Sequence, residues 1–345
     1  MKLYNAISLI FLAIVLIGCG DEIKDPNTFF GIEIGEGKTL FTPDESISVT
    51  LQNKKNLEIK ETTFVFDGID MAASTIPLSQ QKMGTHTIEA KVNIAGEEYT
   101  VSKKITVVAP NKPEVYKYNI LEVYPHDPNA YTQGLEFSND TLYESTGQFK
   151  KSTLRKTNYR TGEVLEQLAI GDQYFGEGLT ILQDKIYQLT WRSGSGFIYD
   201  KQTLKKTGSF AYGESKQGWG LCNNGEVLFK SDGTEKIWTL DKNTLAEKSY
   251  IEVYTNKSKI DTINELEWVD NRIYANIYQK DAIAIVNPAS GAVEGVINLK
   301  GLKALVAQHP ELDVLNGIAY KGEPNILYVT GKNWDKLFKI EVLKK

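Results

Sequence analysis

Five segments carry the organisation of this chain: QGLEFSNDTLYESTG (133–147), EGLTILQDKIYQLTW (177–191), WGLCNNGEVLFKSDG (219–233), NELEWVDNRIYANIY (264–278) and NGIAYKGEPNILYVTGK (316–332). Aligned on the first apolar residue of each, they set Leu135, Leu179, Leu221, Leu266 and Ile318 at intervals of 44, 42, 45 and 52 residues. Short strands recurring at a period of about 40 to 50 residues are the signature of a β-propeller. Third strands and turns follow in GFIYDKQTLKKTGSF (196–210), KIWTLDKNTLAEKSY (236–250) and AIAIVNPASGAVEGV (282–296). Asp200, Asp241 and Asn287 start those turns, as short polar side chains that bond local backbone tend to do. The last unit stops at KLFKIEVLKK, one strand short, and YNILEVYP (118–125) ahead of the first unit can supply the missing strand. Pairing the two ends in this way hides both edges. The expectation is an all-β chain with a five-bladed propeller of four-stranded blades over 118–345; four or six blades would need a spurious or a missed repeat.

Upstream, SISVTLQN, TTFVFDG, THTIEAKVNI and EYTVSKKITVV alternate apolar and polar residues with turn residues between them. That period predicts a β-sandwich over 28–108, similar to immunoglobulin-like modules. No polar cluster in it suggests chemistry, so a spacer or adhesion role is expected. APNKPE, with two prolines, reads as an extended linker, placed at 109–117.

The N-terminus carries Lys2 and then ISLIFLAIVLIG (7–18), a basic region and an apolar region ahead of a small residue, as in an export signal over 1–18. LIGC (16–19) resembles a bacterial lipobox. On that resemblance Cys19 is lipidated and becomes the mature N-terminus, 19–27 is a tether, and the protein is exported and held in the cell envelope, on the periplasmic side or at the surface. A plain signal peptide or a membrane anchor is the alternative. Cys222 then has no disulfide partner and reads as a small buried residue.

A net charge of −5 gives no basic field for nucleic acid. The three histidines, His86, His126 and His309, lie in unrelated settings, so no catalytic zinc motif is formed. Acids and carbonyls in the channel would suit a structural calcium, but no ligand spacing picks one out, and no cofactor is called for. A monomer is expected.

In a propeller the start of each first strand and the end of each second strand open on the same face. The first set is Gln133, Glu177, Trp219, Asn264 and Asn316; the second is Gly147, Trp191, Asp232, Tyr278 and Lys332. Structural repeats alone would keep one residue type at each position, whereas these diverge into an acid, a base, amides and aromatics. Tyr131 and Phe175 add rings on the entering loops. A mouth with apolar walls and a few convergent polar groups is the default ligand site. Asp232 and Glu144 read as structural, and Trp238 and Trp334 as packing residues.

The segments YTQGL, YESTG, FGEGLT, LTW, GWGL, SDG, NELE, LNGIA and TGKNWDKLF, in that order over roughly 120–342, closely resemble the plant and bacterial type of glutaminyl-peptide cyclotransferase. That resemblance implies a five-bladed, zinc-independent enzyme that turns the N-terminal glutamine of peptides or proteins into pyroglutamate and releases ammonia. It implies Glu177 as acid/base residue, with Gln133, Asn264 and Lys332 as polar partners. Trp191 and Trp219 would form the aromatic pocket, with Tyr131 and Phe175 at family phenylalanine positions and Tyr278 where the family has a tryptophan. Asn316, from its place in the ring, joins the substrate-binding set. The chemistry needs a neutral α-amine to attack the γ-carboxamide while the departing nitrogen gains a proton, which one carboxylate can serve. Two alternatives stay open: a surface module that binds peptide or glycan without turnover, and a propeller hydrolase with a channel metal.

Overall fold

The computed structural model describes residues 23–345. Within them the chain is all β, with three short 3-10 turns at Pro26–Thr28, Gly35–Gly37 and Leu302–Leu305. The expected export signal and Cys19 lie outside the described residues.

Between residues 30 and 107 two sheets share one apolar core. The first has strands Phe30–Ile34, Ser46–Asn53 and Thr75–Pro77; the second runs Leu40–Phe41, Glu97–Val107, Gly84–Ile94, Glu61–Phe66, Ile69–Asp70. Ile32, Val49 and Ile76 of one meet Ile88, Val101 and Ile105 of the other. The alternation in SISVTLQN has a direct outcome: Ile47 and Val49 are buried while Ser46 and Ser48 face outward. The same core takes in Tyr254 and Ala292 from the region that follows. Backbone bonds Met83 N–H to Ser290 O (3.0 Å) and Ala109 N–H to Thr255 O (3.2 Å) add to that seam.

The stretch expected as a linker is shorter than 109–117, because the strand Glu114–Pro125 begins inside it. Three antiparallel four-stranded sheets come next, their strands in chain order, beginning with Thr132–Ser138, Gly176–Leu182 and Leu221–Asn223. A fourth set starts with Ile263–Val269. The fifth, Leu315–Ala319, Ile326–Gly331 and Lys336–Lys344, is completed by Glu114–Pro125, which lies antiparallel to the last strand with Pro125 opposite Lys336 and Tyr116 opposite Lys344. Residues 114–116 also pair in parallel with 295–297, so the fourth and fifth sets form one eight-stranded sheet. Nothing in the repeat pattern announces that second pairing.

The first strands of the five sets touch in a closed circuit, from Thr132–Ser138 round to Leu315–Ala319 and back. Glycine permits the closest of these approaches. A Cβ on Gly134 would stand 2.4 Å from Leu179 N, one on Gly178 2.6 Å from Leu221 N, and one on Gly220 2.1 Å from Asn264 O. The fourth unit has Glu265 at this position instead, and its carboxylate accepts the Ile318 N–H at 3.0 Å.

Two more acids, half-buried Glu136 and buried Glu267, make similar bridges between neighbouring units. Glu136 accepts from Thr180 Oγ1 at 2.6 Å and from Ile181 N–H, and Glu267 accepts from Tyr320 N–H at 2.8 Å. Burial drives the carboxyls of Glu265 and Glu267 well above the usual range and moves Glu136 to about 7, against the pull of its own hydrogen bonds. A carboxyl raised on folding binds its proton more tightly in the native state. Its contribution is therefore complete below the unfolded value near 4.5 and is lost as pH rises through about 7. Unfolding free energies from denaturant titrations at pH 4.5 to 8.5 should fall with pH in the parent relative to Glu136→Gln, by up to about 3 kcal/mol for this shift. Parallel curves for the two proteins would refute the assignment.

Candidate active site

Four of the five first strands break register at their opening residues. The ladder shifts between Thr132 and Gly134, Gly176 and Leu179, Ile263 and Leu266, and Leu315 and Ile318. The residues skipped include Gln133, Glu177, Asn264 and Asn316. An interrupted ladder re-aims side chains out of the plain alternation, as bulges beside functional sites do. The register also sets Thr132 opposite Thr146, Gly176 opposite Thr190, Ile263 opposite Ile277 and Leu315 opposite Gly331. Gly147, Trp191, Tyr278 and Lys332, each one residue further on, therefore stand at the same opening.

A cavity of about 270 Å³ occupies that opening, lined by Tyr131, Gln133, Phe175, Glu177, Trp191, Trp219, Asn264, Tyr278 and Lys332. Glu177 is its one carboxylate and Lys332 its one cation, and they are 4% and 3% exposed. Burial pushes the Glu177 carboxyl well above the ordinary range, and the Lys332 charge opposes that shift without reversing it. Burial likewise lowers the Lys332 ammonium, with Glu177 and Asp313 pulling the other way. Gln133 Nε2 donates to Glu177 Oε1 at 3.1 Å, which leaves the second carboxylate oxygen for a ligand. Asn264 Oδ1 is buried with no protein partner, while its backbone carbonyl is held by Ser231 Oγ at 2.7 Å.

Lys332 Nζ lies 4.8 Å from the Tyr131 ring centroid and 5.4 Å from that of Tyr278. Two electron-rich faces partly replace the water the ammonium has lost. Tyr131 is itself tied down, its hydroxyl donating to Asp313 Oδ2 at 2.7 Å. The ring row continues from Tyr131 to Phe175 (centroids 6.1 Å) and from Phe175 to Trp191 (5.5 Å); on the other flank Trp219 meets Tyr278 edge-on at 5.6 Å. Gly147 serves this row by having no side chain, since a Cβ there would come 2.3 Å from the Phe175 ring.

Asn316 is corrected by its surroundings. Gly317 beside it has φ +110°, and Asn316 turns away from the cavity. It is fully buried, donating Nδ2 to Thr132 O (2.9 Å) and to Gln133 Oε1 (3.2 Å). Its place is behind Gln133, where it fixes which end of that amide faces Glu177. Asp232 also stays within its own sheet, accepting from Trp238 Nε1 at 2.7 Å and Thr234 N–H at 3.0 Å. Glu144 accepts from His126 Nε2 at 3.1 Å and Thr132 Oγ1 at 2.7 Å, anchoring the strand just ahead of Gln133.

Gln217 escaped the sequence reading. Its Oε1 accepts from Trp191 Nε1 at 2.9 Å and from Trp219 Nε1 at 3.0 Å, so one amide oxygen sets both indoles. Its backbone carbonyl is gripped in turn by Lys230 Nζ at 2.7 Å. Lys230 also donates to Ser215 Oγ (2.7 Å) and pairs with Glu247 at 2.8 Å, both charged side chains being fully buried. Gln217 holds the register of Tyr131 and Phe175, two residues before its first-strand residue Trp219, but as an amide where those units have rings it gave no further signal. Among the described residues no group of three or more His, Cys, Asp or Glu side chains is placed to hold a metal ion.

A family model described as glutamine cyclotransferase matches residues 91–342. Glutaminyl-peptide cyclotransferase of Arabidopsis thaliana is 42% identical over 235 residues, covering 66% of this chain and 72% of that protein. The crystal structure of Myxococcus xanthus glutaminyl cyclase superposes with a TM-score of 0.63 at 32% identity, over 68% of this chain and 100% of that one.

Proposed function

Since the chain belongs to the glutamine cyclotransferase family, we propose that it closes the N-terminal glutamine of peptides and proteins into pyroglutamate with Glu177 carrying the proton. The observation that supports this role is a single buried carboxylate, its pKa raised, in a small aromatic cavity with Lys332, Asn264 and Gln133 around it. At about 270 Å³ the cavity suits one residue rather than a long ligand.

The α-amine, entering neutral, attacks the γ-carboxamide carbon and a C–N bond forms to close the five-membered ring. Ionised Glu177 accepts a proton from the attacking nitrogen. The amide oxygen becomes an oxyanion, which the Lys332 ammonium and the Asn264 side chain are placed to stabilise. Glu177 then gives its proton to the former amide nitrogen, the second C–N bond breaks, and ammonia leaves. The rings of Trp191, Trp219 and Tyr278 pack against the glutamine methylenes and exclude water, which holds the amine and carboxamide in the near-attack pose. Gln133 positions the carboxylate, and Asn316 positions Gln133.

The circuit of first strands and the sets of four support reading 118–345 as a five-bladed propeller. Two sheets around one core support an immunoglobulin-like sandwich over 28–108. Lys2, the apolar run to Gly18 and LIGC support lipidation at Cys19 and a place in the cell envelope.

The test is ammonia release from Gln-Gly-Ala by the purified protein, with Asn-Gly-Ala as control. Turnover of the glutamine peptide alone is expected, because with one methylene fewer attack by the α-amine would have to close a four-membered ring. Binding of both peptides without ammonia would leave a recognition module instead.

A further inference from the structure

The row of rings does not stop at the cavity. Phe149 lies outside the lining but packs edge-on against Phe175, centroids 5.5 Å apart at 76°. It is 53% exposed and is the only aromatic among the exposed large apolar side chains of the described residues. An exposed phenylalanine is ordinary when isolated; one that extends the wall of a ligand cavity has a reason to be there.

Its loop is built to hold it outward. Gln148 and Lys150, on either side, both take left-handed backbone conformations (φ +86° and +68°), which cost non-glycine residues roughly 1 kcal/mol or more each. Hydrogen bonds sustain that shape: Gly147 N–H to Tyr131 O (2.8 Å), Lys150 N–H to Asp172 O (3.2 Å) and Ser152 Oγ to Gln148 O (2.7 Å). Ser152 Oγ also accepts from Gly176 N–H at 2.9 Å, next to Glu177. The platform is thus tied to the strand that carries the carboxylate.

We propose that Phe149 is a subsite for the side chain of the second residue of the peptide, and that it favours apolar and aromatic residues there. This rests on the cyclase reading above. The cavity accommodates one residue, so the chain leaves it at the first peptide bond. Consecutive Cα atoms are only about 3.8 Å apart, so the second residue begins at the cavity rim, where Phe149 flanks the lining ring of Phe175. The second side chain therefore emerges within reach of the Phe149 face, where ring stacking on a pre-placed partner adds to apolar burial.

Steady-state kinetics with Gln-Phe-Ala and Gln-Gly-Ala, on the parent and on Phe149→Ser, decide the matter. The parent should favour Gln-Phe-Ala by about three- to tenfold in kcat/KM, the range one aromatic contact supplies. Phe149→Ser should erase that preference through KM for Gln-Phe-Ala, and Phe149→Leu should keep part of it. Equal use of the two peptides by the parent, or a preference that survives Phe149→Ser, overturns the subsite. A loss shared equally by both peptides in Phe149→Ser overturns it too, as a general disturbance of the loop. Failure of the cyclase reading itself looks different: no ammonia from Gln-Gly-Ala with the parent.

Discussion

Glu177→Gln should lower kcat for N-terminal glutamine cyclisation by about 10²- to 10⁴-fold, the range general acid–base groups contribute. The substitution preserves the shape of the side chain and its contact with Gln133. It removes the one group in the cavity lining able to take a proton from the amine and return it to ammonia. KM should change little, since the methylenes bind to rings that are untouched. The pH profile is the sharper readout. In the parent, the rate should rise as Glu177 ionises, with a midpoint above the usual carboxylate value because burial raises it. It should fall again as Lys332 loses its proton, below 10.5 because burial lowers that group. The variant should lose that limb and keep only the rise set by deprotonation of the peptide's own α-amine at about 8. Near-parental turnover in Glu177→Gln would remove the residue from its role.

The second large effect belongs to the ion pair behind the tryptophans. Lys230→Met strands Glu247 in a fully buried position, where Lys230 and Ser215 now hold its carboxyl below the ordinary range against the effect of burial. Removing one partner of such a pair costs about 3–5 kcal/mol. In a unit of this size that lowers the melting temperature by on the order of 10 °C. Lys230→Met/Glu247→Leu should recover most of the loss, since neither charge is then left alone. KM should also rise in the single variant, because the Gln217 carbonyl loses its grip and Gln217 Oε1 sets both indoles. Thermal melts of the parent and the two variants, with kinetics alongside, separate the two effects; an unchanged melting temperature in Lys230→Met would show that the pair does not stabilise the fold.

The two ends of this site were not equally legible. Repeats reveal residues whose position recurs, and Gln133, Glu177, Trp219 and Asn264 could be found because each precedes the aligned Gly or its Glu265 counterpart. Second-strand ends followed from the same register, which placed Trp191, Tyr278 and Lys332 at the mouth. Asn316 obeys the same rule yet turns inward, because direction depends on local backbone angles that an alignment does not carry. Gln217 shares the register of Tyr131 and Phe175 but not their residue type, and Phe149 lies in a connection longer than its counterparts in the other units, so neither is marked by a recurring residue. The link from Asp313 to Tyr131 joins residues 182 apart and becomes visible only once the ring has closed. Strand count and order were legible for a simpler reason: turn residues such as Asp200, Asp241 and Asn287 bond the backbone just after them, at 2.8 Å to Thr203, 2.9 Å to Thr244 and 3.0 Å to Ala289. The parallel seam between 114–116 and 295–297 left no such local mark.

The seam made by Glu114–Pro125 and Lys336–Lys344 also sets an order of events during synthesis. The strand needed to complete the last sheet is made more than two hundred residues before its partner, and must wait for it. Lys332 is carried to the cavity by that final sheet, so the cavity is not complete until Lys336–Lys344 has been made and paired. Such long-range pairing is slow to find, and activity should appear only after the two strands have met.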